Sequence, residues 1–152
     1  MNTRDTKSIA LDVFQEIRSA FPSLHADLQH NHPHVDLNMD IPRQPGLGFS
    51  VNLNLQGDEL HLAAGDAFWV EWFPCTDPKI SRDYVDVVKG LISGEFRIIE
   101  YQRAGRTVKA ALQRPRGDGW AVVARWSKLH LPLPWRTTQR VLQNRTTVSG
   151  SH

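Results

Sequence analysis

The chain is expected to fold as an α+β domain, one antiparallel sheet of six or seven strands with helices on one face. Three observations point there. Two stretches carry apolar residues at helical spacing, several shorter ones alternate apolar and polar residues, and Gly, Pro and Asp separate them. The expected order is helix, three or four strands, helix, three strands, and a short last helix. Antiparallel meanders of this kind cover one face with helices and leave the other to water.

Residues 6–21 read as the first helix. Ile9, Val13, Ile17 and Phe21 recur every four residues with Phe14 beside them, Thr6 or Ser8 can cap the start, and Pro22 ends it. The polar stretch SLHADLQHNHPH follows as a loop. Val35, Leu37, Met39 and Ile41 then alternate with Asp36, Asn38 and Asp40. Phe49, Val51, Leu53 and Leu55 alternate with Ser50, Asn52, Asn54 and Gln56. Both patterns are strands with one apolar side. Gly57-Asp58 makes a tight turn into a strand over 59–64, and Gly65-Asp66 a bulge or second turn before a strand over 67–73. Asp77 and Pro78 stand where a helix N-cap and first residue belong. Ile80, Tyr84, Val87, Val88 and Leu91 give the helical stripe, and Gly94 the stop. Strands over 96–103, 107–114 and 120–127 are separated by turns at Gly105 and at 115–119. A short helix is expected over about 136–144. The repeated order of helix then strands raises the thought of an internal duplication, although the halves share few residues.

One domain over 1–145 with a mobile tail over 146–152 is the expected organisation. A chain of 152 residues buries roughly 70% of its unfolded surface without metal or disulfide support. Cys75 is the single cysteine, so no intrachain disulfide exists and a reducing, cytoplasmic setting is expected. The N-terminus lacks the apolar core of a signal peptide, and no stretch reaches membrane-helix length.

Charge divides by position. Residues 1–75 hold four Lys/Arg against ten Asp/Glu, a net of −6; residues 76–152 hold fourteen against six, a net of +8. Such a split suits an anionic partner for the second half or mutual neutralisation of the halves. The expected function is therefore that of a small interaction domain that self-associates or binds a protein partner. The apolar run Phe68–Phe73 supports this, since Phe68, Trp69, Trp72 and Phe73 offer apolar surface on both sides of one strand.

The alternative is an enzyme or ligand-binding domain using the polar side of the first strands. Asp36, Asn38, Asp40, Asn52, Asn54 and His61 would line it, with Ser50 and Glu59 beside them. Asp and Asn are poor strand formers, so their alignment on one face calls for a reason. They can bind a cation, a sugar or a basic protein surface, and Asp36 with Asp40 can act as a carboxylate pair. His30, His32 and His34, spaced by two, would put three imidazoles on one side of an extended segment, the arrangement of a metal site. A second alternative is nucleic-acid binding through Arg97, Lys109 and Arg125, with Trp120, Trp126 and Trp135 interleaved. In the strand over 120–127, alternation sets Trp120, Val122, Ala124 and Trp126 on one side and Arg125 on the other. Cys75 precedes a helix start but adjoins Asp77, which opposes a thiolate. There is no phosphate loop, G-x-S-x-G, HExxH or CxxC, and no cofactor is expected.

Overall fold

The computed structural model describes residues 3–128 and 137–144, with side chains from Thr6 onward. Its elements are α1 (Thr3–Ala20), β1 (Asp27–Gln29), β2 (Leu37–Ile41), β3 (Val51–Gln56), β4 (Glu59–Ala64), β5 (Phe68–Trp72), α2 (Pro78–Ser93), β6 (Arg97–Arg103), β7 (Arg106–Arg116), β8 (Gly119–Ser127) and β9 (Thr138–Leu142). The α+β class holds. The single sheet does not. The strands form two antiparallel sheets, a five-stranded meander β1-β2-β3-β4-β5 and a four-stranded sheet ordered β8-β7-β6-β9. The edges β5 and β8 lie side by side without joining into one sheet.

The apolar periodicity explains the first layer. Leu37, Met39 and Ile41 of β2, Val51, Leu53 and Leu55 of β3, and Leu60, Leu62 and Ala64 of β4 are all buried on one side of the first sheet. Ala10, Val13, Phe14 and Ile17 of α1 are buried too. That helix packs on β2 and β3, and α2 packs on β4 and β5. The caps of α2 act as their residue types dictate. Asp77 Oδ1 accepts from the Lys79 N–H at 2.9 Å, and Gly94 takes the left-handed conformation at φ 88°. A Cβ at Gly94 would fall 1.7 Å from the Asn144 carbonyl oxygen, so the position is closed to any other residue. The Asn144 side chain donates to the carbonyls of Ile92 and Gly46, pinning the end of the second sheet to α2 and to the β2–β3 connection.

Both helices thus cover the first sheet, which departs from two helix-and-strand repeats each with its own helix. The strand β1 arises inside the stretch read as a loop. Residues 138–142 form β9 rather than a helix; Leu142 and Val141 pair with Ile98 and Ile99, giving β6 a partner on its free side. Leu142 reaches Gly65, where a Cβ would stand 2.6 Å from its Cδ1. The apolar core is shared, drawing on α1, α2, the first sheet and the inner side of the second through Ile98, Ala110 and Leu112. Among the described residues no helix is long and apolar enough to cross a membrane. Trp135 and residues 145–152 lie outside the described residues.

Candidate functional site

The side of the first sheet opposite the helices is built by strand parity. Cross-strand register aligns its side chains in rows: Gln29, Asn38, Asn54, His61 and Glu71 in one, Asp27, Asp40, Asn52, Ala63 and Trp69 in the next. Gln56 stands opposite Glu59 beyond them.

Hydrogen bonds join these residues into a ladder across four strands. Gln56 Nε2 donates to Asn54 Oδ1 at 3.2 Å, Asn54 Nδ2 to Asn52 Oδ1 at 2.8 Å, and Asn52 Nδ2 to Asn38 Oδ1 at 2.9 Å. Asn38 Nδ2 donates to Gln29 Oε1 at 3.2 Å. From Gln56 through Asn54 and Asn52 along β3, then to Asn38 on β2 and Gln29 on β1, each amide donates to the next, an alignment in which each bond polarises its neighbour. Asp40 closes one side, accepting from Asn52 at 2.6 Å and from Asn38 at 3.2 Å. At the other end Gln56 Nε2 lies 3.2 Å from His61 Nδ1, and His61 Nε2 lies 2.8 Å from Glu59 Oε1. A Gln56 N–H donating to Nδ1 leaves the ring proton on Nε2, directed at Glu59. Trp69 stands edge-on to the His61 ring with centroids 4.9 Å apart.

Neighbouring side chains cover the middle of the ladder. Asn38, Asn54 and His61 are 4%, 8% and 2% exposed although they lie on the outer side of a sheet. Their mutual hydrogen bonds offset the desolvation that such burial costs. Ala63 carries only a methyl group, and beside it Asp40, Ser50, Asn52 and Gly65 line an open cleft of about 400 Å³. Among the described residues, the paired strands bring to this rim the carboxylates of Asp27, Asp40, Glu59 and Glu71 and no Lys or Arg. The face therefore offers hydrogen-bond acceptors and negative charge around a rigid amide centre, with Trp69, 41% exposed, at its edge.

Of the residues read from the sequence, Asn38, Asp40, Asn52, Asn54 and His61 come together here. Asp36 does not. It precedes β2, and its carboxylate accepts from the Gly57 N–H at 2.8 Å, holding the β3–β4 turn. Asp36 and Asp40 therefore do not form a carboxylate pair. Gln29 and Gln56 are additions, and Trp69, read from the sequence as interface surface, joins the same face. Gln56 continues the alternation of Asn52 and Asn54, a signal present in the sequence; Gln29 is recognisable only through its pairing opposite Asn38.

The apolar run over 68–73 is corrected in part. Phe68 is buried at 1% exposure in the core. Trp72 packs on Tyr84 and donates its Nε1–H to Asp83 at 2.8 Å. Phe68 thus offers no interface surface and Trp72, half-buried against α2, offers only part of its ring, whereas Trp69 and Phe73 are exposed.

Arg97, Lys109 and Arg125 share the outer side of the second sheet, following the register of β6, β7 and β8. Arg97 stacks over Trp120 at 4.0 Å and donates to Gln113. Lys109 lies over Tyr101 at 4.6 Å. A bulge at Val123 shifts the parity of β8, so Trp120 and Val122 face outward while Ala124 and Trp126 pack on the core. The four do not share one side, as simple alternation would have it.

In the histidine stretch His32 Nδ1 accepts from the His34 backbone N–H, and the two rings stand 5.8 Å apart. Among the described residues no three His, Cys, Asp or Glu side chains are placed to hold a metal ion. Cys75 is buried, and burial, then the charge of Asp58, push its thiol pKa up. Comparison of the chain with family models, curated proteins and solved structures gives no match.

Proposed function

We propose that the chain is a protein-interaction domain that presents the amide-rich, acidic face of its first sheet to a basic partner surface. The continuous amide ladder carries this reading. A network fixed in advance loses little conformational freedom on binding. The carboxylate rim selects cations and repels acidic surfaces. Trp69 supplies the exposed aromatic side chain that commonly anchors an interface. Catalysis fits the face less well, because His61 commits both ring nitrogens, to Gln56 and to Glu59. Nucleic-acid binding on the second sheet is also less favoured, since Arg97 and Lys109 each cover a ring face that a base would stack upon.

Titration with a lysine-rich peptide tests the reading. Trp69 fluorescence and the side-chain amide signals of Asn38, Asn52 and Asn54 should shift saturably. The shifts should weaken when Glu59 and Glu71 are both replaced by Gln. A response spread evenly over the surface, or none, would refute it.

A further inference from the structure

The second sheet presents the converse of the first. Its outer side carries Arg97, Lys109 and Arg125, and among the described residues its register places no Asp or Glu beside them. Val122 and Val141, 40% and 46% exposed, give it apolar surface. Tyr101, Lys109, Gln113, Val122 and Arg125 border an open cleft of about 330 Å³. Stacking on Trp120 and Tyr101 holds two of the cations in place before any partner arrives. One chain thus bears an acidic face with an exposed tryptophan and a basic face with exposed valines.

We propose that the partner of the acidic face is a second copy of this chain, docked through its basic face. This rests on the reading of the acidic face as a docking surface, and it names the occupant. Charge complementarity is the first argument, because opposed single-sign faces steer encounter and set orientation. Area is the second. At a strand spacing of about 4.8 Å, each face covers roughly 400–500 Å². A pair engaging both faces of each copy would bring about 900 Å² per molecule, the size of a specific interface. Trp69 would then meet the exposed valines while Asp27 and Glu71 meet Lys109 and Arg125.

Light scattering and sedimentation of the full chain test this with two charge-reversed variants. One carries Asp27→Lys and Glu71→Lys, positions at the rim that touch the amide ladder only at its far end, where Gln29 donates to Asp27. The other carries Lys109→Glu and Arg125→Glu. Wild-type protein should associate at micromolar concentration in low salt and dissociate as salt rises toward about 0.5 M, where screening shortens to a few ångströms. Each variant alone should be monomeric with a near-native melting temperature, and the two mixed should recover a complex containing both. Recovery on mixing is something that damaged folding cannot produce. If a variant fails to fold, Lys109→Gln with Arg125→Gln takes its place and should weaken association at least tenfold. A monomeric wild type, a variant that associates normally, or a mixture that stays monomeric would each overturn the proposal. A monomeric wild type that still binds the lysine-rich peptide at the ladder would overturn the self-association alone; failure of the peptide as well would overturn the docking face itself.

Discussion

On the outer side of the first sheet, Asn38, Asn54 and His61 are nearly covered, and each shares its polar groups with several neighbours. On the inner side of the second sheet, Glu100 is wholly covered and depends on Arg140. The Arg140 Nε–H donates to Glu100 Oε1 at 2.8 Å, and its Nη2 reaches both Glu100 and Asp66. Glu100 Oε2 has no hydrogen-bond partner among the described residues. Polar burial is distributed over neutral amides in one region and concentrated in one ion pair in the other. A distributed network loses part of its bonds when one member goes; a concentrated one leaves a bare charge.

The largest effect is therefore expected at Arg140. Arg140→Leu should cost about 3–5 kcal/mol in urea denaturation, because Glu100 is left buried and unpaired. Adding Glu100→Leu should recover most of that loss. A double variant no more stable than the single would break the contrast. Next comes the ladder. Asn54→Ala removes a donor to Asn52 and an acceptor for Gln56, and should cost about 1–3 kcal/mol. A loss as large as that at Arg140 would show that the ladder does not share its load.

Exposed charges sharpen the comparison further. Glu16 accepts from Arg82 at 2.7 and 2.9 Å and from Lys89 at 2.9 Å, tying α1 to α2. The hydrogen bonds from Arg82, then Lys89, lower its pKa from 4.5 to about 2. The carboxylate is held more tightly in the folded chain than in the unfolded one. Its stabilisation is thus present above pH 4.5 and is lost as pH falls toward about 2. Because these side chains are partly exposed, Glu16→Gln should cost only about 1 kcal/mol at neutral pH. The difference from wild type should shrink between pH 4.5 and 2, read by thermal melts. The smallest effect belongs to the outer cations. Lys109→Gln and Arg125→Gln should each change stability by less than about 0.5 kcal/mol, measured the same way. A larger loss would mean that these side chains belong to the architecture of the sheet.

Part of the charge split is internal architecture. The acidic first half meets the basic second half through Glu16 with Arg82 and Lys89, and through Asp66 with Arg140. A further part lies on the outer sheet faces, Asp27, Asp40, Glu59 and Glu71 on the first and Arg97, Lys109 and Arg125 on the second, where sequence position alone could not place it.

Much of the candidate face was legible because its information is local. The alternation through residues 37–41 and 51–56 assigns Asn38, Asp40, Asn52 and Asn54 to one side at any pairing that buries the leucines. Asp77-Pro78 and Gly94 mark α2 because caps are chemistry of one or two residues. The misses are all non-local. Phe68 and Trp72 read as apolar surface together with Trp69 and Phe73 until the core takes Phe68 and α2 packs on Trp72. Trp120 and Trp126 look like neighbours on one side until a bulge at Val123 shifts the parity. Residues 138–142 carry too short a pattern to tell strand from helix, and the free side of β6 decides the matter.

The sequence by itself determined the α+β class, the two helices, most of the strands and the polar side of β2 and β3, since periodicity and capping act within a few residues. Tertiary structure alone decided that the strands divide into two sheets, that Gln29, Gln56 and His61 complete a ladder with the asparagines, and that Glu100 is buried against Arg140. Those outcomes depend on which strand lies beside which, and that choice is made by burial of the whole core rather than by any one segment.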